Sequence, residues 1–233
     1  MESIEARLAR LDWAQINNDL DLNGYAVIPD VLDEITIARL GAHWDASLNL
    51  LLDLSENACG SGKLLEIRDQ ELPDLGSLRS AIYCHVASTA ERWCKALSVK
   101  NRYLANLTLF QGVNSNNDNY GARSYLSKLG PGDYISLRDG MKKSAEFPIK
   151  LIGSMAHNGR DFIGGEVVIV EQRPRMQSRA RVITLRKGDI ALVAISQRPV
   201  KGTQSYYSVT AKHAISRIES GNRFGIELSL DAW

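Results

Sequence analysis

The sequence predicts an α+β chain, with helices first and a jelly roll or sandwich of short strands after. Helix-period apolar stripes are confined to the first half, whereas beyond Leu104 the apolar residues come in short runs separated by turns, several of them glycine-containing. At 233 residues and 44% hydrophobic content, the chain can bury the core of one large domain, residues 1–233. The expected division is mainly helical support over 1–103 and mainly strands over 104–233.

Each element follows from local pattern. Ile4 to Leu20 reads as a helix, and Gly24 to Ile28 as a short strand closed by Pro29, which has no N–H for a ladder. Asp33 is placed to cap a helix whose apolar residues Ile37, Leu40, Trp44, Leu48 and Leu51 recur at three and four residues. Leu78, Ile82, Val86, Thr89, Trp93 and Leu97 form a second stripe, and both stripes need a sheet to cover. Leu104 to Phe110 reads as a strand, and Asn114 to Asn119 as a polar loop, either mobile or at the mouth of a site. Further strands are expected at Ile149–Ile152, Val167–Val170, Val182–Leu185, Ile190–Ile195, Ser205–Ile215 and Phe224–Leu230. Asn158-Gly159, Gly164-Gly165, Lys187-Gly188-Asp189 and Gly221-Asn222 supply turns between them.

Composition excludes several function classes. With 28 basic and 27 acidic residues the net charge is +1, so no global field draws the protein to nucleic acid or to an anionic membrane. Cys59, Cys84 and Cys94 are odd in number and lack Cys-x-x-Cys spacing, against a disulfide framework or a thiolate zinc site and in keeping with a reducing cytoplasm. No window has the length and apolarity of a membrane span, and no signal-length apolar run opens the chain. Gly60-Ser-Gly62-Lys63 fails as a phosphate loop, because Asn57 stands where the first glycine is needed and Leu64 where Ser or Thr should bind magnesium. The basic run Arg173 to Arg181 lacks interleaved aromatics and reads as a solvated hairpin rather than a nucleic-acid contact.

Three segments carry a family resemblance: Asp161 to Gln172 around Gly164-Gly165-Glu166, Arg186-Lys-Gly-Asp189 with the apolar run behind it, and His213 to Arg223. In order and spacing they resemble the iron- and 2-oxoglutarate-dependent oxygenases, in particular small bacterial members related to prolyl hydroxylases. The similarity covers Tyr125 to the end and, more weakly, Gly24 to Pro29. It implies a double-stranded β-helix, a cupin-like jelly roll with N-terminal helices buttressing one sheet. It also implies an iron site built from a His-x-Asp pair and a distal histidine, with an arginine about ten residues further on for the far carboxylate of 2-oxoglutarate. Carried over, the distal histidine falls on His213 and the carboxylate arginine on Arg223, both matched. The His-x-Asp pair falls on Arg138 and Gly140, and neither can ligate iron.

Strand alternation makes this departure consequential. Positions 138 and 140 face one side and Asp139 the other, unless a bulge turns the strand. A guanidinium has five donors and no lone pair, and it repels a divalent cation. A chloride-binding halogenase arrangement is excluded too, since it keeps both histidines. The expected site presents Arg138, His213 and Arg223 to a small-molecule carboxylate, an oxo acid such as 2-oxoglutarate or an amino acid, with iron not expected. Arg138 is either an anion clamp in the metal's place or a residue tolerated in a lapsed site, and His213 either an interior histidine or a proton carrier. Two alternatives stand beside this reading. One is a true iron hydroxylase with ligands such as His157 or Asp139, although His157 and Asp161 read as turn residues. The other is a regulatory subunit paired with an active homologue or with its own copy.

Overall fold

The computed structural model describes residues 4–99, 124–139, 147–173, 175 and 177–230. The predicted strand Leu104–Phe110, the polar loop Asn114–Asn119 and Gly140 lie outside them. The expected helix from Ile4 to Leu20 is two helices, α1 (Ile4–Ala9) and α2 (Trp13–Asn23). The break falls at Asp12, whose carboxylate accepts from Gln15 N at 3.0 Å. Aspartate satisfies an otherwise unpaired N–H at a helix start better than it serves a helix interior, so one pattern became two elements. Gly24 ends α2 in the left-handed region at φ 77°. α3 (Glu34–Ala46) starts at the predicted cap, Asp33 accepting from Thr36 N at 2.8 Å, but stops before Leu48, which is left exposed. α4 (Pro73–Ala96) buries Leu78, Ile82, Val86, Thr89 and Trp93 of the predicted stripe, whereas Leu97 lies just past its end as the C-cap.

The strands form two main antiparallel sheets. The larger runs β1 (Tyr25–Ile28), β11 (Ile190–Ala194), β7 (Ile149–Ser154), β15 (Arg223–Ser229), β5 (Ser124–Leu129), β4 (Lys63–Ile67) and β2 (Leu52–Asp53). The smaller runs β10 (Gln177–Ile183), β9 (Val167–Arg173), β13 (Tyr206–Ile215), β6 (Tyr134–Asp139) and β3 (Gly60–Ser61), with β12 (Ser196–Lys201) also on β13. A two-stranded sheet of β8 (Phe162–Gly164) and β14 (Ile218–Gly221) completes the set. This is the double-stranded β-helix, with its helices on one side.

Period-two alternation sorts the larger sheet into two cores. Leu151, Leu192, Ile226 and Leu228 pack under the helices together with Leu78, Ile82 and Val86. Their neighbours Ile152, Ala191 and Val193 face Ile135, Ile169 and Ile215 across the barrel interior. The sheet is therefore covered on both faces, which is why its strands read as near-continuous apolar runs.

At the edge of the interior, Arg198 is fully buried and donates from Nε to Glu171 Oε1 at 2.6 Å and from Nη1 to Asp21 O at 3.0 Å. Arg173 holds the other Glu171 oxygen at 3.3 Å. Strand β12 is thereby tied both to β9 and to the end of α2. Arg198→Met should destabilise by about 3–5 kcal/mol, because it removes the main partner of a buried carboxylate and leaves it with the longer Arg173 contact. The shift of the urea midpoint at constant m-value checks this.

Candidate functional site

The site begins with an irregularity in β6. His213 on β13 lies opposite Arg138, and Ile215 lies opposite Ile135, so three steps on β6 match two on β13. The extra residue is a bulge, and it lets Ile135 and Arg138 both face the interior. Arg138 and His213 are thus brought together on one face.

Strand β15 supplies the opposing wall. Phe224, Ile226 and Leu228 pack toward the helices. Alternation therefore turns Arg223, Gly225, Glu227 and Ser229 toward the barrel. In register, Glu227 stands opposite Ile152 and Ser229 opposite Lys150 on β7. Gly225 has a specific purpose, since a β-carbon there would collide with Nη1 of Arg223. Its absence lets the guanidinium lie across the strand toward Glu227.

Glu227 is the centre of the cluster. Arg138 Nη2 donates to both of its oxygens, at 2.8 and 2.7 Å. Lys150 Nζ and His213 Nε2 each lie 3.7 Å from Oε2. At that distance the imidazole is outside hydrogen-bond range, and neither ring nitrogen has a hydrogen-bond partner among the described residues. Arg223 is 2% exposed and makes no hydrogen bond or ion pair among the described residues. The nearest carboxylates acting on it are those of Glu227 and Glu166, and Glu166 accepts from Ser216 Oγ at 2.6 Å. Three cations thus share two carboxylates.

Protonation states follow from this geometry. Burial pushes the Glu227 carboxyl up, but the charge of Arg138, with His213 and Lys150, outweighs it and holds the group well below the carboxylate range. Burial lowers the His213 pKa, and Glu227 only partly offsets that, so the imidazole is neutral at pH 7. The Glu227 charge raises Arg138 above its ordinary value. Burial brings Arg223 down to about 10, which leaves it charged at neutral pH.

Other sequence candidates sit elsewhere. His157 and Asp161 form a turn, His157 N donating to the Asp161 carboxylate at 2.8 Å, which is the loop role that was read. Arg217 lies over the Tyr134 ring at 5.6 Å, and His85 stacks on Trp13 at 4.2 Å. Gly60 and Gly62 bend the chain between β3 and β4, where Ser61 donates to Asp133 at 2.5 Å and Lys63 pairs with Asp53. A surface groove of about 370 Å³ runs between Tyr134–Leu137 and Ala214–Arg217 at the bulge and contains none of the clustered charges. Glu227 and Lys150 were absent from the sequence candidates, although the polar-apolar alternation Arg223-Phe-Gly-Ile-Glu227-Leu-Ser229 marks an inward polar face.

Among the described residues of the cluster, the side chains able to ligate a ferrous ion are His213, Glu227 and Glu166; both Glu227 oxygens already accept from Arg138, and Glu166 accepts from Ser216. Among the described residues no three His, Cys, Asp or Glu side chains come together as a metal site.

Comparison with known proteins agrees on the fold. Residues 65–232 match the model of a family of oxygenases described as catalysing oxidative methylation of damaged DNA. A Pseudomonas putida prolyl-4-hydroxylase superposes with TM-score 0.54 at 11% identity, over 92% of this chain and 96% of that one. A Trichoplax adhaerens prolyl hydroxylase, solved with a peptide fragment, gives 0.56 at 13% identity, over 95% and 89%. The viral collagen prolyl hydroxylase of Paramecium Bursaria Chlorella virus-1, solved with 2-oxoglutarate, gives 0.52 at 12%, over 88% and 94%. An uncharacterised Mycobacterium tuberculosis protein is 30% identical over 103 residues, 44% of each chain. The chain therefore spans less than half the length of that curated relative.

A neutral buried histidine has a signature in acid. The folded chain binds the His213 proton less readily than the unfolded chain, whose value is near 6.5, so stability falls as pH drops below that value. His85, also lowered by burial, adds a loss of the same sign. Glu227 adds its own loss only once pH falls below its unfolded value near 4.5. His213→Gln should flatten the decline between pH 6.5 and 5 relative to wild type, read from urea midpoints across that range.

Proposed function

The chain belongs to the Oxygenase-NA family, and from that premise we propose that it is a carboxylate-binding protein of the 2-oxoglutarate oxygenase fold whose metal position is taken by the Arg138–Glu227 pair. The observation that carries this reading is Arg223, a guanidinium 2% exposed with no hydrogen bond or ion pair among the described residues. A buried charge is costly unless paired, and a ligand carboxylate supplies the pair bidentately. The ligand class is an oxo acid or amino acid. His213, neutral and with no hydrogen bond to its ring nitrogens among the described residues, supports proton abstraction at a carbon beside a carbonyl. No step in this reading passes through iron.

Three measurements test it. Arg223→Ala should abolish calorimetric binding of 2-oxo acids while leaving the fold intact by circular dichroism. Protein reconstituted anaerobically with Fe(II) should retain no stoichiometric iron after desalting; retention of one iron with consumption of 2-oxoglutarate overturns the proposal. Arg138→His with Gly140→Asp should raise iron affinity if the metal ligands alone have been replaced, and an unchanged affinity in a folded variant assigns the loss to the surrounding residues as well.

A second reading follows from charge distribution. Between residues 172 and 212 the chain has nine Lys and Arg and one acid, Asp189, although its net charge is only +1. The exposed start of β10 presents Arg179 at the sheet edge. The family's description speaks of damaged DNA, and a basic ribbon suits phosphate contacts. Fluorescence anisotropy with an alkylated single-stranded oligonucleotide tests this. Binding that weakens steeply with salt and is lost in Arg179→Glu/Arg181→Glu supports it, and absence of binding at low salt removes it.

A further inference from the structure

We infer that Glu227 is a built-in carboxylate that makes the site selective for ligands with a single carboxylate group. The inference rests on the proposed carboxylate role of Arg223 and adds what the rest of the cluster does to ligand choice.

Three observations carry it. Glu227 lies on the same face of β15 as Arg223, two inward positions further along, with only Gly225 between them. A ligand gripped by Arg223 and reaching inward along the strand therefore meets Glu227 next. Both Glu227 oxygens are held by Arg138, and Lys150 stands 3.7 Å away, so the cations that could receive a second carboxylate already serve an internal one. Finally, among the described residues Arg138, Lys150 and Arg223 exceed Glu227 and Glu166 by a single charge, and of these three cations Arg223 alone has no close partner there. One vacancy for one anion follows.

A dicarboxylate such as 2-oxoglutarate would place its second group against Glu227, or would have to displace Glu227 from Arg138. Like charges in a site largely screened from water repel strongly. Breaking a buried hydrogen-bonded pair is also expensive. A monocarboxylic 2-oxo acid with an uncharged tail incurs neither cost. Exclusion of the wrong ligand by a fixed like charge is specificity by repulsion.

The test is isothermal titration of the full chain with pyruvate, 2-oxobutyrate, 2-oxoglutarate and succinate at one ionic strength. The monocarboxylic oxo acids should bind about tenfold or more tighter than either dicarboxylate. Glu227→Gln should narrow or reverse that ratio by about tenfold, whereas Glu227→Asp, which keeps the charge, should preserve it. Equal or tighter binding of a dicarboxylate by the wild-type chain overturns the inference while leaving the carboxylate site standing. An unchanged ratio in folded Glu227→Gln overturns it as well, and should that variant not fold, the wild-type ratio decides. If no carboxylate binds, or if Arg223→Ala binds all four as the wild type does, the reading of Arg223 fails and this inference fails with it.

Discussion

The Arg138–Glu227 pair is the interaction on which the interior depends. It joins β6 of the smaller sheet to β15 of the larger across the space between them, and it does so with two hydrogen bonds from one nitrogen, at 2.8 and 2.7 Å. Burial alone would drive Glu227 to take up a proton. The guanidinium, together with Lys150 and His213, outweighs it and keeps the carboxylate charged. That retained negative charge makes it possible to bury Lys150 and Arg223 nearby, and it also faces His213.

Backbone geometry makes the pair possible. Without the bulge in β6, a residue three places from inward-facing Ile135 would turn to the outer face, and Arg138 could not reach the interior. Without Gly225, the Arg223 side chain could not lie across β15 toward Glu227. Each charged group is placed by a local feature that would be unfavourable in an ordinary strand, where bulges interrupt pairing and glycine weakens packing. Such departures concentrate where chemistry or binding is done.

Much of this was legible in the sequence. Short apolar runs and their turns indicated a sandwich or jelly roll, the family resemblance narrowed this to a double-stranded β-helix, and the roles of α3 and α4 followed from their stripes. His213, Arg223 and Arg138 were singled out through the family resemblance, and the structure sets His213 opposite Arg138. Glu227 and Lys150 were not found, because each lies inside a run dominated by apolar neighbours and was absorbed into a core strand. Reading Arg223 to Ser229 at period two separates a polar inward face from an apolar outward one and would have exposed Glu227. The β6 bulge left no comparable trace, since an extra strand residue is defined by its partner's register rather than by its own sequence. The break between α1 and α2 had a signal at Asp12 that a continuous stripe obscured.

The same pair explains why this interior would resist gradual change. Arg138 and Glu227 each neutralise the other, so replacing either alone leaves a charge in a poorly solvated place, at a cost of several kcal/mol. Replacing Arg138 by a metal-binding side chain frees Glu227, whose carboxylate then lies beside His213 and competes for any cation introduced there. Replacing Glu227 leaves Arg138, Lys150 and Arg223 with the Glu166 carboxylate alone and demands additional anionic charge from a ligand. The four residues around His213 therefore behave as one electrostatic unit, and a change of chemistry at this position requires coordinated substitution on β6, β7 and β15.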